Sequence, residues 1–296
     1  MDIQAYLATQ KEKIDRALTT TFQTCADIPP VLREAMEYSL KAGGKRVRPV
    51  LVLASAAVYK APEEKIMPVA LAMELIHTFS LIHDDLPAMD NDDLRRGQPT
   101  SHKVFGEGKA ILAGDGMLSH AFFLLARLGK KGGVYPTLLL EVIEDIAKAT
   151  GAEGMVGGQV LDLQGEGADL NEEGLRKIHR YKTGALITAS VISGAKLAGA
   201  GKKDLEHLKV YGDKIGLAFQ IADDVLNVEG TTKELGKKAG SDASLQKTTY
   251  PSVCGLEESK KKARQLVEEA VKSLETFDSK AGSLREIARY IIQRKS

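Results

Sequence analysis

An apolar, helix-forming run from Ile66 to Ile82 ends in a burst of carboxylates, and this junction constrains the fold more than any other stretch. Residues 77–100 read HTFSLIHDDLPAMDNDDLRRGQPT and hold Asp84, Asp85 and Asp90, then Asp92 and Asp93, then Arg95 and Arg96. A core helix that delivers several acids at its C-terminal end is costly unless something neutralises them. A hard divalent cation such as Mg²⁺ does so, held by a few carboxylates and shared with a phosphate-bearing ligand. The adjacent arginines suit that ligand, because a guanidinium meets phosphate oxygens with two parallel hydrogen bonds. A solvated acidic loop is the plainer alternative.

Composition narrows the remaining classes. A net charge of +1 gives no general attraction to nucleic acid or to an anionic membrane surface. No nucleic-acid partner and no stable membrane association are therefore expected, and basic residues that matter should be grouped at a site. Cys25 and Cys254 make neither a disulfide framework nor a metal pattern, which points to a reducing, cytoplasmic setting. The N-terminal MDIQAYLATQKEKID has acids where a signal peptide would be apolar, and Glu74 and His77 interrupt the longest apolar run, arguing against a membrane span. With 43% apolar residues, no linker and no long repeat, residues 1–296 are expected to form one all-α domain.

In chain order, apolar spacing near 3.6 predicts helices over residues 3–22, 30–42, 50–59, 104–128 and 135–150, and no run alternates at period two. Before the third helix stands GGKRVRP, residues 43–49, with Pro49 suited to a first helical turn. Lys45 and Arg48 there flank a helix N-terminus, where free N–H groups and two cations would hold an anion such as diphosphate; a plain basic turn is the alternative. The glycine-rich TGAEGMVGGQVLDLQGEG, residues 150–167, follows no strand, so a dinucleotide fingerprint fails its context test. Small residues there suit close helix packing, with Gln159 and Asp162 facing something polar. A helix over 172–198 contains Tyr181-Lys182-Thr183-Gly184, where a kink would free backbone carbonyls, though a tolerated interior glycine reads equally well.

A second acidic signal, FQIADDVLN at 219–227, lies in a helix predicted over 204–228, with Gln220, Asp223 and Asn227 on one face. The polar segment 230–251 is long enough to be a functional loop or lid, with Lys237, Lys238 and Lys247 as its candidate phosphate contacts. Helices over 256–277 and 282–293 close the chain, and the basic end Gln293-Arg294-Lys295-Ser296 is expected to fray, with folding over a site as the alternative.

Taken together, GGKRVRP (43–49), LIHDDLPAMDNDDLRRGQPT (81–100), GGQVLDL (157–163), YKTG (181–184), FQIADDVLN (219–227) and QKTTYP (246–251) resemble the trans-isoprenyl diphosphate synthases. The motifs stand in family order over most of the chain. They are most similar to the bacterial farnesyl diphosphate synthases, which act on dimethylallyl, geranyl and isopentenyl diphosphates. The resemblance implies antiparallel α-helices around a deep cavity, a homodimer, and three Mg²⁺ ions per active site once diphosphate is bound. By motif position it implies Asp84, Asp90 and Asp223 as main Mg²⁺ ligands, with Asp85 and Asp224 close by. Arg95, Lys182 and Lys237 would hold the allylic diphosphate, with Lys247 nearby. Lys45, Arg48, His77 and Arg96 would hold isopentenyl diphosphate, and Thr183 and Gln220 would offer oxygen dipoles to an allylic cation.

One departure is Asn227, where the bacterial farnesyl enzymes usually carry Asp, so direct metal ligation there is not expected. Product length in the family depends on the residue five positions before the first aspartate motif. Here it is Phe79, beside Ser80, roughly 7–8 Å below Asp84 along a helix. An aromatic floor resembles the fifteen-carbon type, whereas geranylgeranyl enzymes of plants tend to carry Met. On a helical wheel, however, Ser80 lies nearly under Asp84 and Phe79 is turned away. A terpene cyclase would not need GGKRVRP or His77, and a non-catalytic partner subunit would be expected to have lost its acidic motifs.

Overall fold

The computed structural model describes residues 1–23, 25–131, 133–229 and 247–294. The described residues are almost all helical. The exception is a two-residue antiparallel pair, β1 (Leu94–Arg95) with β2 (Gln98–Pro99), which turns the chain back after the acidic stretch.

The central element is α4 (Glu63–Asp84), following α1 (Ile3–Thr19), α2 (Pro30–Lys41) and α3 (Val47–Ala57). It buries Ile66, Val69, Ala70, Met73, Leu75 and Ile76 on all sides, as a helix without a polar face must. Around it pack α3, α6 (Glu107–Lys131) and α10 (Ala185–Leu197). Gly194 lets α10 touch α3, because a β-carbon there would stand 2.1 Å from the Val52 carbonyl oxygen. The helix predicted over 104–128 is divided: α5 (Ser101–Phe105) ends at Gly106, whose φ of +86° breaks the run before α6.

Next come α7 (Pro136–Thr150), α8 (Met155–Gly165) and α9 (Glu172–His179). The single helix expected over 172–198 is interrupted by a π-turn at Arg180–Gly184, where the Ala185 N–H donates to the Arg180 carbonyl. Of the two readings of YKTG, a kink or a tolerated interior glycine, the structure shows a local π-turn in an otherwise continuous helical path. The long α11 (Lys202–Glu229) packs on α13 (Leu256–Ser273), after the short α12 (Tyr250–Cys254). A 3₁₀ turn, Glu275–Ala281, replaces the predicted end of α13 and leads into α14 (Gly282–Gln293).

The basic end departs from expectation. Arg294 does not fray: it is 9% exposed, its guanidinium lies 4.0 Å from the Phe219 ring centroid, and it donates to Asp223. A tail made of Gln, Arg, Lys and Ser looks solvated until an unpaired carboxylate and an aromatic face are placed beside it.

Candidate active site

The helices enclose a cavity of about 1060 Å³ into which the C-terminal ends of α4 and α11, the N-terminal end of α3 and the π-turn all point. Its acidic wall begins at Asp84, the last residue of α4. The following loop folds back, with the Asp90 N–H on the Asp84 carbonyl at 2.9 Å and Asn91 in a left-handed conformation. The six-residue separation of Asp84 and Asp90 is thus closed into one turn. Asp84 is only half-buried by exposed area, but protein surrounds it. Desolvation pushes its carboxyl up to about 6, with Lys182 opposing and Asp90 adding to the shift. Asp85, by contrast, is buried and fully engaged by the Arg95 guanidinium, whose Nε lies 2.9 Å away.

Opposite stands α11. Asp223 accepts from Arg294 at 2.5 Å, and Phe219, Gln220 and Asn227 line the cavity beside it. Asp224 turns inward instead: it accepts from the Gln220 amide at 3.1 Å and from the Tyr250 N–H at 2.9 Å, tying α11 to α12. His179 lies 3.7 Å from Asp224, but burial lowers its imidazole to about 3, so the contact is not an ion pair.

The π-turn presents Lys182 and Thr183. Thr183 donates to Gln220 Oε1 at 2.9 Å, gathering two oxygens at one point of the wall. Lys182 donates to Asp162 on α8 at 2.6 Å, and Lys247 bridges Asp90 at 2.8 Å and Asp162 at 3.2 Å. Gly158 makes this possible, since a β-carbon there would stand 2.1 Å from the Lys182 backbone nitrogen. The expected close packing of α8, and a polar partner for Asp162, are both present.

A basic corner closes the cavity at α3. Burial lowers Lys45 to about 8 and Arg48 to about 10, with neighbouring cations adding to the shift. His77 on α4 is pushed well below its ordinary value by burial and by the surrounding arginines, so its ring is neutral. Arg96 reaches the Gly43 carbonyl and lies over Gly44, whose φ of +124° and missing β-carbon leave room for the guanidinium. Phe79, 7% exposed, lines the cavity and packs edge-on against His83 at 5.2 Å between ring centroids. His83 is in turn fixed by the Ile111 carbonyl at 3.0 Å. Ser80 lines the same wall with its hydroxyl on the His77 carbonyl, so both residues border the cavity whatever the helical wheel suggests.

Among the described residues, no three His, Cys, Asp or Glu side chains converge closely enough to hold a metal ion alone. That donor set still fits Mg²⁺, which takes one or two carboxylates and completes its octahedron with water and phosphate oxygens. A desolvated Asp84 carboxylate beside Asp90 calls for such a cation.

The polyprenyl synthetase family model matches residues 29–291. The chain belongs to that family. It is 47% identical over 296 residues to the geranylgeranyl diphosphate synthase of Cyanophora paradoxa, covering 100% of this chain and 97% of that one. It is 44% identical over 294 residues to the farnesyl diphosphate synthase of Geobacillus stearothermophilus, covering 99% and 98%. Its fold matches the Helicobacter pylori geranyltransferase complexed with magnesium and isoprenyl diphosphate, with a TM-score of 0.85, 31% identity, and coverage of 99% and 97%.

As a polyprenyl synthetase the chain brings nearly every residue singled out from its sequence to one cavity. Lys45, Arg48, His77, Phe79, Ser80, Asp84, Asp90, Arg95, Arg96, Lys182, Thr183, Gln220, Asp223, Asp224 and Lys247 all line it, while Asp85 stands behind as the partner of Arg95. Lys237 and Lys238 lie outside the described residues. Sequence reasoning missed three participants: Arg294, Glu74 and His179. Two had a signal, a basic C-terminal end and an acid inside an apolar run; a lone histidine in an amphipathic helix has none.

Proposed function

We propose that this prenyl diphosphate synthase condenses dimethylallyl and then geranyl diphosphate with isopentenyl diphosphate, releasing farnesyl diphosphate. The observation that carries the fifteen-carbon product is an aromatic residue in the cavity lining five positions before Asp84, Phe79, braced edge-on by His83. A growing chain that enters past Asp84 meets this pair along the α4 face.

Lys182, Arg95, Lys247 and Lys237 bind the allylic diphosphate, and Lys45, Arg48, His77 and Arg96 bind isopentenyl diphosphate. Asp84, Asp90 and Asp223, with Asp85 and Asp224 behind them, would hold Mg²⁺, which when bound neutralises the charge that develops on the leaving diphosphate. The Thr183 hydroxyl oxygen and Gln220 Oε1 face the allylic carbon and favour its positive charge. Apolar walls from Phe79, Leu163 and Phe219 exclude water, so the cation meets the isopentenyl double bond rather than a hydroxyl. The proton then lost from the new C–C unit passes to the released diphosphate, and no protein nucleophile is required.

Two further features belong to this reading. Leu112 and Phe123 on α6 are exposed, as is Leu140 on α7, and these apolar side chains support a homodimer, which is checked by light scattering. A twenty-carbon product is the second reading. Ile111, Val156 and Val160 line the cavity yet are half-exposed, leaving one side of its lower wall thin. The deciding experiment is product analysis with purified protein, Mg²⁺, dimethylallyl and isopentenyl diphosphates. Farnesyl diphosphate as end product is expected; geranylgeranyl diphosphate would retain the chemistry and remove Phe79 as the floor.

A further inference from the structure

Glu74 is 1% exposed, in the middle of the central helix α4. Its Oε1 accepts from Arg46 Nη1 at 2.6 Å. Arg46 is itself 4% exposed and stands at the N-terminal cap of α3 in a left-handed conformation, φ +54°. That backbone state costs a non-glycine residue about 1 kcal/mol or more, so the surroundings must hold it. They hold it at three points: Glu74, Asp15 Oδ1 at 2.8 Å, and the Leu40 carbonyl at 2.7 Å.

The consequence appears on either side of Arg46. Arg46 lines the cavity at the basic corner beside Lys45 and Arg48, with its guanidinium held by Glu74, Asp15 and the Leu40 carbonyl. Three buried polar atoms at that corner have no hydrogen-bond partner: Glu74 Oε2, Arg48 Nε and His77 Nδ1. Glu74 is also the strongest opposing charge felt by Arg48 and by Arg96. Without it, Arg46 would keep Asp15, but Arg48 and Arg96 would lose the largest opposing charge they feel.

We propose that Glu74 is a positioning residue for the second diphosphate: by anchoring Arg46 at the α3 cap it sets where Lys45 and Arg48 present their charges. The inference rests on the isopentenyl diphosphate subsite proposed above. It makes a prediction of sign. A carboxylate acting only through its charge repels an incoming diphosphate, so removing it would tighten binding. A carboxylate acting through Arg46 preorganises the cations, and removing it weakens binding.

The test compares Glu74→Gln, Arg46→Met and the double variant, measuring KM for each substrate separately at saturating Mg²⁺, with melting temperature as a control. Glu74→Gln is expected to raise KM for isopentenyl diphosphate about tenfold, as loss of a charged hydrogen bond does, while KM for dimethylallyl diphosphate stays within about twofold. The double variant removes both members of the buried Arg46–Glu74 pair rather than stranding one, so it remains informative even where a single variant fails to fold. It is expected to show the same selective rise, with no further increase over Arg46→Met alone. A lowered isopentenyl KM, an equal rise in both KM values, or a wild-type isopentenyl KM in a folded double variant would each overturn the proposal. Wild-type protein that forms no condensation product would instead overturn the function on which it rests.

Discussion

The two acidic motifs read alike, FSLIHDD and FQIADD, yet the structure balances their charges in different ways. The first ends a helix, and its own loop returns to supply Arg95 for Asp85. Lys247 comes from far along the chain to Asp90, and Asp84 is left without an ion-pair partner among the described residues. The second lies within α11, where the helix leaves no loop to fold back. Asp223 is neutralised by Arg294, the last described residue, and Asp224 is consumed in fastening Gln220 and the start of α12. The first acid of each pair, Asp84 and Asp223, lines the cavity, while the second is held by fixed partners, Asp85 by Arg95 and Asp224 by Gln220 and the Tyr250 N–H.

The largest expected effect follows from Asp84. Asp84→Asn should abolish condensation, by about 10³-fold or more, because the carboxylate and its share of metal charge are both lost. It should also stabilise the ligand-free protein. A carboxyl raised from 3.8 to about 6 binds its proton more tightly when folded, so ionisation costs stability as pH rises between those values. At pH 7.5 that cost is fully present. Discounted for partial exposure, it is about 2 kcal/mol, or a melting temperature about 4 °C higher in the variant. Differential scanning calorimetry without Mg²⁺ checks the sign, and an unchanged or lower melting temperature would remove the argument that Asp84 is held ready for a cation.

Next in size is the contrast within the second motif. Asp223→Asn should lose about 10²-fold in turnover with little change in melting temperature. Asp224→Ala should do the reverse in emphasis, destabilising by about 2 kcal/mol because the Tyr250 N–H and the Gln220 amide lose their acceptor. Equal losses of activity with equal stability would erase the division between ligand-facing and structural acids.

A smaller effect is graded with pH. Since Asp84 titrates near 6, the Mg²⁺ concentration for half-maximal rate should be flat above neutrality and rise below about pH 6, by up to about tenfold per unit. A profile that stays flat to pH 5 would place the limiting metal charge elsewhere, on Asp90 or Asp223.

The fold and most of the site were legible in the sequence because the chemistry is written in helix ends and helix faces. Apolar periodicity located α4 and α11, and the acids could be assigned to their cavity ends without knowing any tertiary contact. Even the π-turn had a local cause in Lys182-Thr183-Gly184. What could not be read were pairings made across the fold. Nothing around Arg294 in the sequence points to Asp223, 71 residues earlier in the chain, and nothing near Asp224 points to the Tyr250 N–H. The helical wheel could not decide between Phe79 and Ser80, because it describes one helix, whereas both line the cavity and Phe79 packs on His83, which the Ile111 carbonyl of α6 holds.

The smallest expected effect asks whether the two motifs can be made more alike. Asn227 lies one helical turn beyond Asp223 and lines the same cavity. Asn227→Asp adds a second carboxylate at i, i+4, where like charges destabilise a helix by a few tenths of a kcal/mol and each makes the other harder to ionise. Without metal, the variant should therefore melt slightly lower. With metal, the added charge should lower the half-activating Mg²⁺ concentration by about two- to fivefold. Product length should not change, since the substitution is remote from Phe79. Arg294 sharpens the expectation: it already neutralises Asp223, so combining Asn227→Asp with Arg294→Met should deepen the loss of metal-free stability and enlarge the gain in Mg²⁺ affinity. If Asn227→Asp altered neither quantity, the second motif would not be limited by charge, and the asymmetry between the motifs would reflect packing of α11 alone.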